Sequence, residues 1–288
     1  MVFNNFDLIR TVYCRPIGGL GNQLFILCAA ISYANDNDRK LILIHYKGGT
    51  GIDNMSQRPT YLNNLFYKLK SHMGIESGNI TTIYEQKDGT LITKSYEKSV
   101  YLSGYFQSPK YFIKYKQELI DYFEFNKYQT ERRDSISLHF RIGDYKSNQD
   151  YHPILTINYY KNAIKSICEK TKNNWLIEWC CENGDIDHAN KTIKELINSF
   201  PEMHFKRINP NLCDWELMMY LSCSTHNIIA NSTFSWWGAY LNPNIEKIVT
   251  YPSIWFGESV NKRVDNMFPA NWIQCQVTTF NTVGVIYD

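Results

Sequence analysis

The chain has 288 residues, of which 44% are hydrophobic and 20% charged, a balance that sets aside disordered and fibrous classes and suits two globular domains. A net charge of +2 gives no general field for nucleic acid or an anionic membrane, so any anion it binds must be held by a local site. The N-terminus MVFNNFDLIRTVYC lacks a charged region leading into an apolar run, and no stretch of ~18 apolar residues occurs, so a cytoplasmic protein without a transmembrane segment is expected.

In chain order, residues 8–14 read as a short strand. The glycine turn PIGGLGN follows, and then NQLFILCAAISYAND, apolar on nearly every face and so a buried helix. Residues 41–46, LILIHY, read as a second strand, which completes a βαβ unit. Residues 47–104, rich in Gly, Asn and Thr and with YLSGYF near their end, read as irregular with a short strand or two, and residues 109–124 return to a helical pattern. The charged stretch NKYQTERRDS supplies a boundary, giving an N-terminal domain at 1–133 and a C-terminal one at 134–288. Beyond it, SISLHF, NWLIEWC, HNIIAN and KIVTY read as strands, and INYYKNAIKSICEK, HANKTIKELINS, LCDWELMMYLSC and STFSWWGAYL as helices. This alternation predicts a mostly parallel sheet, with ligands at its carboxyl edge.

Three stretches carry chemistry. In GGLGNQ, Gly19 and Gly21 stand at a strand-to-helix turn where backbone can approach a ligand, with Asn22 and Gln23 beside them; Asn22 is either a helix N-cap or a side chain offered to a substrate. The sequence fits neither the phosphate-loop pattern with its lysine nor G-x-G-x-x-G, which weighs against an NAD-type oxidoreductase. In HFRIGDY, Arg141 ends a buried strand and needs a partner, either Asp144 or an anionic ligand, and Gly143 lets the chain turn. In NSTFSWWG, the hydroxyls of Ser232, Thr233 and Ser235 follow Asn231 where a helix begins, a place that binds phosphate or merely caps the helix. The spacings Asp36–Asn37–Asp38 and Asp185–Ile186–Asp187 are those of carboxylate pairs under a divalent cation, but both lie in turns or at helix ends, and no metal is expected. Eight scattered cysteines without a repeated C-x-x-C read as free thiols rather than as zinc ligands or a disulfide framework.

Together GGLGNQLF, H-x-R-x-GDY and HNIIANSTFSWWGAYLN resemble the α-1,2-fucosyltransferases in order and separation, with weaker similarity at GYFQSPKYF and IVTYPSIWF, so that the likeness spans essentially the whole chain. The resemblance implies an α/β fold of the GT-B type, two facing Rossmann-like domains with an interdomain cleft, the N-terminal one on the acceptor side and the C-terminal one holding GDP-fucose. It implies an inverting transfer of L-fucose from GDP-fucose to the 2-hydroxyl of a galactose-containing glycan, with no cofactor or metal and no nucleic-acid partner. By position, Arg141 resembles the arginine on the donor's β-phosphate. Asn231, Ser232, Thr233 and Phe234 resemble the loop around the pyrophosphate and nucleoside, and His139 and Asp214 the residues near the guanosine. Where the family usually has a second arginine after Arg141, this chain has Ile142, and the region that often reads F-S-D-D is here WCCENGDID.

Departure of the nucleotide builds negative charge on its phosphates, which Arg141 and main-chain amides suit. The acceptor hydroxyl must lose a proton, for which Asp144 and His152 are the candidate bases, Asp144 being preferred as base or as orienter of Arg141; Asn22 lies on a turn facing the acceptor side. The missing second arginine keeps open a non-catalytic protein that binds a nucleotide-sugar or glycan on the same fold.

Overall fold

The computed structural model describes residues 9–44, 61–86, 94–260 and 262–277. They divide into two compact units. One comprises the residues up to Gln129 together with Asp214–Met219 and residues 262–270; the other comprises Thr130–Cys213, Tyr220–Val260 and the residues from Asn271 onward. Two short pieces from the second half of the sequence, read above as part of the 134–288 domain, thus build the first unit.

The first unit carries β1 (Thr11–Cys14), α1 (Leu20–Asp36), β2 (Lys40–Ile44), β3 (Met73–Gly74), β4 (Thr81–Tyr84), β5 (Ser99–Ser103) and α2 (Lys116–Phe123). Its sheet runs in the order β3-β2-β1-β5-β4, and every pairing is parallel. Helix α1 is buried over most of its length, from Leu20 through Ala34, which is why its sequence shows no polar face. The stretch expected as one helix over residues 109–124 is broken: short 3₁₀ turns at Pro109–Tyr111 and Ile113–Tyr115 precede α2. Ser108 caps the first of these, accepting a bond from the Lys110 N–H, and Phe112 leaves helical geometry at φ −141°.

The second unit is built from β6 (Arg133–His139), α3 (Ile157–Thr171), β7 (Leu176–Cys180), α4 (Ile186–Ser199), β8 (His204–Arg207), the end of α5 (Asp214–Ser222), β9 (Ser224–Ile228), α6 (Thr233–Tyr240), β10 (Val249–Pro252) and β11 (Ile273–Cys275). Its sheet order is β11-β10-β9-β6-β7-β8, again all parallel. Parallel strands need both faces covered, and the inward Ile136, Leu138, Ile177 and Ile228 pack with Tyr159, Ala163, Ile164 and Ile167 of α3 and Ala189 and Leu196 of α4. The two-sheet α/β class expected from the sequence is therefore present. No disulfide joins any of the eight cysteines, all of which are described residues, and no described helix is long and apolar enough to cross a membrane.

Candidate functional site

The second unit places its candidate residues where the connections diverge. After β6 the chain crosses to β7 on one side; after β9, its hydrogen-bonded neighbour, it crosses to β10 on the other. The two loops leaving these strands flank a topological switch point, the usual ligand crevice of an open α/β sheet. One loop is Phe140–Asp144 and the other Ile229–Phe234, so the stretches singled out in sequence are brought together. The Tyr145 hydroxyl joins them by donating to the Asn231 carbonyl at 2.9 Å.

Arg141 emerges with its side chain only 17% exposed and is held by two carboxylates, Asp144 of its own turn and Glu182, which follows β7. Its guanidinium lies 5.0 Å from the centre of the Tyr145 ring. Burial works against the charge, but the facing Tyr145, Asp144 and Glu182 outweigh it, and the pKa moves up. Gly143 sits at φ +21°, and a Cβ there would lie 2.9 Å from a Glu182 carboxylate oxygen. Its N–H donates to Asp185 Oδ2 at 2.6 Å, while Lys146 Nζ donates to Oδ1 at 2.6 Å. Buried Asp185 thus braces the Arg141 turn from both of its oxygens. Ile142, at the position of the second family arginine, is buried in the apolar core of the unit.

His139 closes the floor. It is buried beside the Phe234 ring at 5.5 Å between centroids, and its Nδ1 has no partner among the described residues. Burial, with Arg141 adding to it, pushes its pKa down to about 3, so the ring is neutral near neutral pH. Asn231 donates to the carbonyls of Pro153 (2.9 Å) and Trp255 (3.3 Å), and its Oδ1 is buried without a partner among the described residues. Ser232 caps α6, its Oγ accepting the Phe234 N–H at 3.3 Å, and Thr233 begins the helix. Ser235 is buried and ties Ala230 to Ser232, a bracing role. His152 stacks on Tyr145 at 4.8 Å and 16°, and burial lowers its pKa, which weakens it as a cation at this place.

The first unit holds the remaining candidates. Gly19 is the N-cap of α1 and Gly18 takes φ +75°; Gln23 is buried and donates to the Gly18 carbonyl at 2.9 Å. Asn22 is therefore not the cap. It lies within the first turn, and its Oδ1 accepts a bond from Gln107 Nε2 at 3.0 Å. Gly21 is buried in the same turn. A Cβ at Gly18 would lie 2.8 Å from Asn22 Nδ2, so a glycine there leaves room for that amide. Asp214 opens α5 within this unit, accepting bonds from the Tyr61 hydroxyl and, at 2.8 Å, from the Trp215 N–H.

Neither carboxylate spacing collects a cation cage. Asp36 pairs with Lys114 at 2.5 Å, Asp185 is committed as described, and among the described residues no group of three or more His, Cys, Asp or Glu side chains is arranged to hold a metal ion. The sequence reading missed Glu182, Tyr145 and Gln107 as partners of the site residues. Tyr145 lies inside the quoted HFRIGDY stretch, Glu182 inside WCCENGDID and Gln107 inside GYFQSPKYF, but nothing local in those stretches shows which partner each side chain meets.

A family profile described as "Glycosyl transferase family 11" matches residues 76–276, a span that includes the Arg141 and Asn231 turns. The "Alpha-1,2-colitosyltransferase" of Escherichia coli is 29% identical over 298 aligned residues, covering 92% of this chain and 99% of that one. The "O-antigen biosynthesis glycosyltransferase WbnK" of Escherichia coli is 26% identical over 302, covering 85% and 95%. Among solved structures, the fucosyltransferase NodZ from Bradyrhizobium is 13% identical, with 82% of this chain and 94% of that chain covered at a TM-score of 0.44. The chain is a glycosyltransferase and belongs to glycosyl transferase family 11.

Proposed function

We propose that this glycosyltransferase moves L-fucose from GDP-fucose to the 2-hydroxyl of a galactose-containing glycan, forming an α-1,2 linkage with inversion and without a metal. The observation that carries the reading is the convergence, at one switch point, of Arg141 with the Asn231–Phe234 turn at the start of α6. Charge grows on the departing diphosphate as the sugar–phosphate bond breaks, and a guanidinium that is already fixed and desolvated needs little rearrangement to meet it. Arg141 binds the β-phosphate, and Asn231, Ser232, Thr233 and Phe234 surround the pyrophosphate and nucleoside. His139, neutral and with an unbonded ring nitrogen, meets the base. Asp144, bonded to Arg141, acts as its orienter in the donor-free state. Asn22 and the glycine turn serve the acceptor side.

The relative named for colitose favours a second donor sugar, since colitose is fucose lacking one ring hydroxyl. The deciding experiment incubates the protein with GDP-fucose or GDP-colitose and a panel of β-galactosides, with and without EDTA, and determines the linkage of any product. An α-1,2-fucosylated product formed at the same rate in EDTA is expected. Transfer of colitose alone would replace the donor, loss of transfer in EDTA restored by Mn²⁺ would remove the metal-free mechanism, and GDP binding with no transfer or GDP release would leave a non-catalytic binding protein.

A further inference from the structure

Asn22 does not stand by itself at the carboxyl edge of the first sheet. Glu85 follows β4, Gln107 follows β5, and Lys262 belongs to the piece of chain that returns to this unit. Glu85 accepts the Tyr105 N–H at 2.9 Å on one oxygen; on the other it accepts the Gln107 N–H at 3.3 Å and Lys262 Nζ at 3.2 Å. Lys262 Nζ also donates to Gln107 Oε1 at 3.2 Å, and Gln107 Nε2 donates to Asn22 Oδ1 at 3.0 Å. The pair is sheltered, with Lys262 and Glu85 side chains 24% and 12% exposed. Gly104, at φ +151°, is required for it, because a Cβ there would fall 2.4 Å from the Glu85 Cβ.

The order of these bonds fixes their direction. An ammonium has donors and no acceptor, so the Gln107 atom facing Lys262 must be its oxygen. Its nitrogen then faces Asn22, which must present Oδ1 to it, and the Asn22 Nδ2 is turned to the Gly18 side. Through Gln107, the charge on Lys262 thereby favours the orientation in which the Asn22 NH₂ looks at the glycine turn.

We infer that Gln107 is a positioning residue for the transfer reaction: oriented by Lys262, which Glu85 holds in place, it keeps Asn22 turned so that the amide offers hydrogen-bond donors, not an acceptor, to a substrate oxygen at this edge. The inference rests on Asn22 belonging to the substrate site, as proposed above. The discriminating variant is Gln107→Glu. A carboxylate keeps the contact to Lys262 and can still bond Asn22, so a merely structural role is satisfied; but both of its oxygens accept, and Asn22 must reverse its amide.

In Gln107→Glu, kcat should fall roughly ten- to a hundredfold, with the acceptor KM and the melting midpoint near those of the wild type. Combined with Asn22→Ala, the change at Gln107 should add nothing further, because a residue acting through Asn22 has nothing left to position. Wild-type kcat in Gln107→Glu, or losses that multiply in the double variant, would overturn the inference. An Asn22→Ala enzyme with full activity would instead overturn the placement of Asn22, and the inference with it. A readout independent of any donor is the side-chain amide resonance of Asn22, assigned by its loss in Asn22→Ala. It should shift on Gln107→Glu as the NH₂ group turns to a carboxylate, and an unmoved resonance would refute the orientation.

Discussion

Arg141 and Glu182 state the electrostatic problem at the residue scale. The guanidinium is claimed by two carboxylates, and under the proposed function the donor diphosphate has to take the place of at least one of them. Glu182 is the one reaching in from a different strand end, and its side chain is 56% exposed. Replacing it by Gln removes a negative charge beside the phosphate position, and GDP should then bind about threefold more tightly, in keeping with the ~0.2–1 kcal/mol of a solvent-accessible pair. Isothermal titration of the two proteins checks this, and an unchanged or weaker Kd would refute the competition. Arg141→Lys keeps the charge and loses the planar fork that now spans both acids, so transfer should drop at least about tenfold, or ~1.4 kcal/mol of barrier. Steady-state rates at saturating donor would show it; wild-type turnover would remove Arg141 from the chemistry.

Elements with strong apolar content were legible in the sequence, and short or polar ones were not. The strands β6, β7, β9 and β10 and the helices around them follow from buried Ile, Leu, Val and aromatic runs, because a sheet covered on both faces leaves no polar side to confuse the pattern. Strand β8 is the edge sequence HFKR with charged residues facing water, β4 is the largely exposed TTIY, and β3 and β11 have two and three residues, so pairing rather than composition makes them strands. The site divides in the same way: Arg141 and Asn231 sit beside glycines or hydroxyls in sequence, whereas Glu182, Glu85 and Lys262 join only through the fold. Strand β7 also hides a charge that periodicity disguised. Glu178, 2% exposed, is held by Arg133 at 2.7 Å, Ser135 at 2.9 Å and the Tyr220 hydroxyl at 2.7 Å. Burial alone would raise its pKa, but the bonds from Tyr220, Arg133 and Ser135 prevail and lower it. Glu178→Ala would strand Arg133 and should destabilise the protein by about 3–5 kcal/mol in chemical denaturation. A loss near zero would mean that water replaces the carboxylate.

For the whole molecule, the titration of buried groups sets how it responds to acid. His139 and His226 have folded pKa values pushed down to about 3 and about 4, in both cases chiefly by burial, from an ordinary 6.5. Below that ordinary value the unfolded chain binds protons that the folded one refuses, so stability falls as the pH drops from about 6.5 towards 4. Glu178 acts in the same direction, its contribution being lost as acid protonates it. The melting midpoint should therefore decline steadily through this window, by an amount worth about 3 kcal/mol for His139 alone near pH 4.5, and the slope should flatten in His139→Phe. A midpoint that is level with pH would contradict the burial of these rings. The way the first unit is assembled has a practical corollary for protein engineering. Because Tyr61 reaches Asp214, Tyr128 packs on Trp215, and Glu85 depends on Lys262, the segment ending at Gln129 lacks its own partners when cut out or grafted onto another transferase. Exchange of this half between relatives succeeds only if two distant stretches travel with it, and a cassette built from the first 129 residues should arrive with its Asn22 side chain unaimed.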